Sequence, residues 1–457
     1  MFILRMSSKR QSFGIGYCFG AGYFASTLYW IAESFKCVGF GNYGYIAVEF
    51  LVLYISLYPA IACYLTKKFA TTKLNFLLFF SIFWVFAEYL RGIIFTGFPW
   101  NLIGYISYDI PYFSQIADIF GIYGVSFLLI LVTSLLTSKR TLLYGMRLLT
   151  ITIFYGYYKI NFFGGYVEPK MQDKITLVQP SISQKDKIDI EKLKINIDRH
   201  IMLSKEHGIY GGKKLIIWPE AAINMPTASQ SDVLKYIGSS IKTNGSYIVT
   251  GCDRFDEDRN LYNSIYVFGK DANVIQAYDK RHLLPFGEFI PEFLINLGFK
   301  KLTAGMINFS NGKLSRTINI DGFAPFDAVI CYEIAFPGEI VDNNESTWIL
   351  NITNDSWFKN SDGPTQHLKI ASFRAIEEGK SIVRCANNGI SCIIDCNGRV
   401  HDALQTDEIG KIDSQMPGKR QNTVFSKYKN LTIFVLLTIG MSVLFLFRKR
   451  KIHFIEL

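Results

Sequence analysis

Two kinds of apolar run divide the chain. Six long runs, at 12–35, 44–65, 74–95, 113–137, 141–158 and 429–447, each approach the ~20 residues that a helix needs to cross a bilayer. They predict spanning helices. Between the fifth and the sixth, short apolar runs alternate with polar stretches. Those at 175–179, 215–218, 247–251, 264–268, 274–278, 328–331, 348–353, 382–385 and 392–395 predict strands. The stretch 364–379 predicts a helix, with Pro364 in its first turn and Gly379 as its stop. Strands alternating with helices argue for an α/β fold with covered sheets. The expected organisation is a transmembrane domain of about five helices at 1–160, an α/β catalytic domain at 161–420, and a last membrane helix with a basic tail at 421–457.

Composition agrees with membrane segments. The 457 residues are 49% apolar and 15% aromatic, which is high for a soluble protein. The net charge of +10 does not form one aromatic-interleaved patch, so no nucleic-acid partner is expected. The cations cluster between the apolar runs instead. Arg5, Lys9 and Arg10 precede the first run; its length favours an anchor over a cleaved signal peptide. Lys67, Lys68 and Lys73 lie between the second and third, Lys139 and Arg140 between the fourth and fifth, and Arg448 to Lys451 after the sixth. If six helices alternate, all four clusters fall on one side, and the positive-inside rule makes that side the cytoplasm. The α/β domain then faces the periplasm of a bacterial inner membrane.

The membrane half carries polar signals of its own. Glu88 and Arg91, three apart, share one helical face. Charges at such depth are paired or functional; a structural pair and a substrate contact are both open readings. From Thr96 to Asp118 the chain is broken by Gly97, Pro99, Gly104 and Pro111, with Trp100 and several tyrosines suited to headgroup level. This loop reads equally as a floor for lipid access or as an interfacial belt.

The chemistry lies at three strand ends. Cys331 ends the apolar run 328–331, and alone it reads as a small buried hydrophobe. Glu220 follows Leu215-Ile216-Ile217-Trp218-Pro219, and Lys280 follows Tyr278-Asp279. Together they supply a nucleophile, a general base and a cation for an oxyanion. A thiol near its ordinary pKa of ~8.5 needs its proton removed, and a partly buried carboxylate suits that task. Lys280, if charged, stabilises thiolate and oxyanion; main-chain N–H groups after Cys331 are the remaining candidate donors.

The order Glu220, Lys280, Cys331, in the contexts WPE, YDKRHLLPFGE and CYE, resembles the nitrilase superfamily of carbon–nitrogen hydrolases. The apolar N-terminal half and Thr96-Gly97-Phe98-Pro99-Trp100 narrow the resemblance to the apolipoprotein N-acyltransferases, bacterial membrane enzymes that finish lipoproteins. The resemblance covers nearly the whole chain. It implies a four-layer αββα sandwich attached to a polytopic helical membrane domain. It implies that Glu288 and Glu333 support catalysis, the alternative being structural ion pairs. Asn263, Tyr332, Trp357 and Trp100 become candidate substrate contacts, with ordinary packing as the alternative for each. The implied reaction carries a fatty acyl chain from a membrane phospholipid, through a thioester on Cys331, to the α-amino group of a diacylglyceryl-cysteine lipoprotein. No cofactor is implied, and a monomer is expected.

Some features depart from that pattern. The family usually has about eight spanning helices, against the six found by the length rule. The stretch 178–184 lacks the usual Gly-Asn/Asp, and Ile188 stands where a tryptophan is expected. No His or Cys spacing suggests zinc. Cys385, Cys392 and Cys396 lie close enough in sequence to allow a disulfide, which spacing cannot prove. Two other functions compete: a membrane-tethered amidase using the same triad on small amides, and a non-enzymatic export scaffold. The six apolar runs disfavour the first, and retention of all five charged or nucleophilic motif residues disfavours the second.

Overall fold

The computed structural model describes residues 2–37, 39, 41, 43–162, 174–205, 214–224, 230–241, 246–269, 271–290, 308–342, 345–358, 361–415 and 422–449. The basic residues Arg450 and Lys451 and the 420/421 division lie outside this set, whereas the 160/161 division falls at the end of the helix Leu142–Asn161.

Among the described residues, twelve strands form two sheets. In chain order they are β1 (Lys174–Gln179), β2 (Lys214–Ile217), β3 (Tyr247–Phe255), β4 (Leu261–Phe268), β5 (Val274–Asp279), β6 (Thr317–Ile318), β7 (Phe326–Ile330), β8 (Trp348–Thr353), β9 (Ser381–Ala386), β10 (Ser391–Ile394), β11 (Val400–Leu404) and β12 (Gly410–Gln415). The sheets run β12-β1-β2-β3-β4-β5 and β11-β10-β9-β8-β7-β6. Each has three parallel strands at its heart, β1-β2-β3 and β7-β8-β9, with antiparallel strands outside them. Parallel strands covered on both faces read as unbroken apolar runs. That is why β2 and β8 are buried along their whole length.

The sheets pack face to face. Leu177, Leu215, Ile217 and Val249 from one meet Ala328, Ile330, Leu350 and Ile352 from the other. The period of two then turns the intervening residues outward. Val178, Ile216 and Ile248 contact Ile197, Ile201, Leu234 and Ile237, on the helices Leu193–Ser204 and Gln230–Ile241. Val329, Ile349 and Ile382 contact the helix Gly363–Glu378, giving the αββα order. Pro364 opens that helix, and Gly379, at φ 64°, ends it in the left-handed region where glycine carries no Cβ penalty.

Among the described residues, three helices are long and apolar enough to cross a membrane: Tyr43–Phe69, Lys73–Thr96 and Ala117–Leu136. The other three expected crossings also form helices, Lys9–Leu28, Leu142–Asn161 and Leu431–Lys449, but they miss that standard. Glycine and serine dilute the first, and Arg147 and Lys159 sit within the second.

The Gly363–Glu378 helix is also the junction with the membrane half. Its apolar face shares one core with Trp100, Phe113, Ile122 and Val125. Gly121, at φ 64°, breaks the Ala117–Leu136 helix. The freed Ile122 N–H donates to Glu377 at 2.7 Å, so the sandwich caps a membrane helix. Lys429 pairs with Glu378 at 2.7 Å just before the last helix. The cysteines Cys385, Cys392 and Cys396 are buried, and the disulfide their spacing allowed is not formed among them.

Candidate active site

Glu220 lies three residues beyond β2, in the buried turn entered through Trp218 and Pro219. The turn is tight: Ala221 has φ 51°, and a Cβ on Gly251 would stand 2.6 Å from the Glu220 Cα. Lys280 follows β5 directly, held by its N–H to the Asn263 carbonyl at 2.8 Å and by the Gly312 N–H on its own carbonyl at 2.7 Å. Cys331 follows β7 directly and opens the 3₁₀ turn Cys331–Ala335 at φ 49°. That left-handed conformation is strained for a residue with a Cβ, and it turns the cysteine out of the strand.

The two sheets thus bring the three residues together, Glu220 and Lys280 from one and Cys331 from the other. The Glu220 carboxylate accepts from the Asn263 side chain at 2.8 Å and from the Asn354 N–H at 2.8 Å. Lys280 Nζ is 3.7 Å from Glu220 and 2.9 Å from Glu288. Asn263 reaches both carboxylates, donating to Glu288 at 2.9 Å, so it spaces two like charges. Cys331 is near enough that the charges of Glu220 and Lys280 act on its thiol.

Burial decides the protonation states. It raises the Cys331 thiol, and the Glu220 charge raises it further, against the pull of Lys280. Burial likewise raises the Glu220 carboxyl, with Lys280 opposing. For Lys280 burial works the other way, yet Glu288 and Glu220 outweigh it and hold the ammonium charged. A charged lysine has no lone pair to take a proton, so it can act on a neighbour only through its charge. A carboxylate with a raised pKa is able to accept a proton from a thiol.

Glu333 ties the two strand ends to each other. It accepts from the Tyr278 hydroxyl at 2.8 Å, Arg316 at 3.1 Å, and the N–H groups of Arg281 at 3.0 Å, His282 at 3.2 Å and Ile330 at 2.8 Å. One carboxylate therefore clamps the residues flanking both Lys280 and Cys331. Burial alone would raise its pKa, but Arg316 prevails and lowers it.

The loop after the Lys73–Thr96 helix forms a wall beside Tyr332, the residue after Cys331. The Tyr332 hydroxyl donates to the Gly97 carbonyl at 3.1 Å, and its ring stacks on Trp100 at 6.3 Å. Trp100 in turn donates to Gln366 at 2.8 Å. Glu88 and Arg91 explain the loop's shape. Arg91 donates to the carbonyls of Phe98 at 2.8 Å and Trp100 at 2.7 Å, while Glu88 accepts from the Ile103 N–H at 2.8 Å. Their role is structural, through loop backbone. Trp357 ends the turn Asp355–Trp357 that follows Asn354, and its carbonyl lies 4.0 Å from the Cys37 sulfur. Ile188, in the position noted for a missing tryptophan, is 42% exposed.

Pattern reading missed two partners. Lys187 is buried and donates to the main-chain carbonyl of Glu220 at 2.9 Å; burial lowers it to about 8. His367 reaches the Cys331 carbonyl from the Gly363–Glu378 helix at 3.2 Å. Neither has a local signal, since a lysine in a polar stretch and a histidine on a helix look ordinary.

The sandwich with glutamate, lysine and cysteine at one rim defines a carbon–nitrogen hydrolase carried on membrane helices. Residues 174–419 match the family model for carbon-nitrogen hydrolases, and residues 1–135 match that for the apolipoprotein N-acyltransferase N-terminal domain. The chain is 35% identical over 442 residues to the apolipoprotein N-acyltransferase of Rickettsia prowazekii (strain Madrid E), covering 92% of this chain and 86% of that protein. It is 32% identical over 426 residues to that of Brucella melitensis biotype 1, covering 89% and 80%. Among solved structures it is similar to Saccharomyces cerevisiae Nit3, a member of branch 10 of the nitrilase superfamily, at 18% identity and a TM-score of 0.39, covering 53% of this chain and 89% of that one. The chain belongs to the apolipoprotein N-acyltransferase family. It is an enzyme of the carbon–nitrogen hydrolase superfamily and a membrane protein.

Proposed function

We propose that the chain N-acylates lipoproteins by a ping-pong reaction through Cys331. The observation that carries this reading is the contact of Tyr332, the residue after Cys331, with Gly97 and Trp100 of the N-terminal loop. An amidase for small soluble amides has no use for a nucleophile docked on a membrane domain.

The Cys331 sulfur attacks the ester carbonyl of a phospholipid while its proton passes to Glu220. Lys280 faces the negative charge that develops on the carbonyl oxygen. Collapse breaks the ester bond; the departing glyceryl oxygen takes the proton back from Glu220 and leaves as lysophospholipid. The free α-amino group of a diacylglyceryl-cysteine then attacks the thioester. Glu220 accepts a proton from the amine and returns one to the leaving sulfur. Glu288 keeps Lys280 in place, and Glu333 holds the two strand ends. Asn263 and Tyr332 border the space the substrate needs; Trp100 and Trp357 are proposed as its apolar walls. Both substrates sit in one membrane, which raises their effective concentration.

For orientation we take residues 1–160 and 421–457 as the membrane part and 161–420 as the periplasmic part of a monomer in a bacterial inner membrane. The packing of the basic clusters supports this. Lys67 donates to the Arg5 carbonyl at 2.6 Å, and Lys73 to Ser138, beside Lys139, at 2.5 Å. These clusters therefore meet at one end of the helices, as the positive-inside rule requires.

The test is intact-mass analysis of enzyme purified with its lipids. Wild type should carry one fatty acyl chain on the Cys331 peptide, released by neutral hydroxylamine. Cys331→Ser should carry none or a hydroxylamine-resistant oxygen ester. Acylation mapped to another residue would end the mechanism. Turnover of short amides without any loading from phospholipid would favour the amidase.

A further inference from the structure

We infer that His367 is a positioning residue for acyl transfer: it fixes the Cys331–Tyr332 peptide so that the Tyr332 N–H is aimed as an oxyanion donor. The inference rests on the Cys331 reading and adds a role outside the three motifs.

The geometry determines where the imidazole proton sits. Nε2 faces the Cys331 carbonyl oxygen at 3.2 Å, which can only accept. Nδ1 faces a donor and an acceptor together, Arg384 Nη2 at 3.1 Å and Asp355 Oδ1 at 3.1 Å. A neutral ring has one proton to place. Nδ1 is satisfied with or without it, whereas Nε2 without it would set a lone pair against a carbonyl. The proton therefore lies on Nε2, and in a protonated ring Nε2 carries one as well. In both states His367 donates to Cys331.

The carbonyl it holds belongs to a special peptide. Cys331 is left-handed at φ 49°, a conformation that persists only where surroundings over-determine it. The chain has no cis peptide among its described residues, so the Cys331–Tyr332 bond is trans, and its C=O and N–H point in opposite directions. Pinning the carbonyl toward His367 sends the N–H to the opposite side, away from the imidazole. Tyr332 lies in the first turn of its 3₁₀ helix, where amides have no acceptor within the helix. That N–H is thus available beside the reacting carbon.

His367 is itself locked. It is 1% exposed, Arg384 pairs with Asp355 at 2.8 Å behind it, and Trp100 packs on its ring at 5.3 Å. Arg384 comes from β9 and Asp355 from the turn after β8; Trp100 comes from the membrane loop. The placement of the oxyanion donor therefore depends on the docking of that loop.

The experiment uses full-length enzyme in detergent micelles with p-nitrophenyl butyrate. The Cys331 sulfur bonds to the ester carbonyl carbon, p-nitrophenolate leaves, and the thiol proton passes to Glu220, so the burst reports acylation without a phospholipid. Failure of phospholipid loading would leave this readout intact. Iodoacetamide alkylation of Cys331 forms no oxyanion and reports only the thiol. His367→Leu should slow the burst by about 10²-fold, the value of one oxyanion donor, while alkylation changes by less than about twofold. His367→Gln, which keeps an N–H donor, should recover part of the loss. A burst at the wild-type rate in His367→Leu would overturn the inference. So would a parallel fall of burst and alkylation in both variants, which would mean that the thiol itself had moved.

Discussion

Lys280 stands closer to Glu288 than to Glu220, with Nζ 2.9 Å from the one carboxylate and 3.7 Å from the other. Both side chains are almost closed to solvent, at 2% and 10% exposure. The pair keeps the lysine charged and leaves Glu220 free to accept a proton. Removing one member of a buried pair strands the other, so Glu288→Ala should cost about 3 kcal/mol of stability, at the low end for such pairs because Glu220 remains nearby. The acylation burst should fall as Lys280 moves toward Glu220. Thermal unfolding in micelles and the burst rate check both, and unchanged values of the two would remove Glu288 from the site.

Acid should act on two carboxylates in opposite ways. Burial alone would raise Asp355, but Arg384 and His367 prevail and bring it to about 2. Its folded value thus lies below the unfolded value of ~3.9, so its stabilisation is complete above that pH and is lost as pH falls toward the folded value. The Asp355→Asn variant should show a shallower loss of unfolding midpoint over that interval. Glu220 is raised by burial. Its linkage is present below the unfolded value of ~4.3 and is lost as pH rises through the folded one. The acid limb of acylation should therefore lie above that of an ordinary glutamate and disappear in Glu220→Gln. A limb at ~4.3 would contradict the burial argument.

Gly97 should tolerate no side chain. It has φ 83°, and a Cβ there would stand 2.0 Å from the Gly92 carbonyl oxygen. Since its own carbonyl receives the Tyr332 hydroxyl, Gly97→Ala should displace the loop and Trp100. The expected outcome is a slower burst with Cys331 still alkylated at near the wild-type rate. Normal kinetics in this variant would show that the loop is dispensable for chemistry.

Topology has a direct test. A reporter fused after Lys159 should be active outside the cytoplasm, and one fused after Lys451 inside it. Equal cytoplasmic activity of both fusions would reject the orientation drawn from the basic clusters.

Much of the fold was legible because its signals are local. Central strands of covered sheets are apolar along their whole length, and the expected strands coincide with β1, β2, β5, β7, β8, β9 and β10 to within two residues at either end. The three strands that escaped, β6, β11 and β12, all lie at or beside sheet edges. β6 is two residues long, and β11 is largely exposed, so neither carries a core-facing pattern. The helix over Pro364 was legible from its caps, which are chemical features of single residues.

The sequence by itself determined the ingredients: apolar segments, covered strands, and a glutamate, a lysine and a cysteine each placed at a strand end. Those follow from backbone geometry and residue chemistry over a few positions. Only the tertiary structure decided which groups face each other. Glu220 and Lys280 come from one sheet and Cys331 from the other, and Asn263 stands between two carboxylates 43 and 25 residues away. Lys187 beneath Glu220, His367 behind Cys331 and Trp100 across the membrane junction are contacts between distant segments. Such contacts depend on how the layers stack, and stacking leaves no periodic mark on the residues that meet.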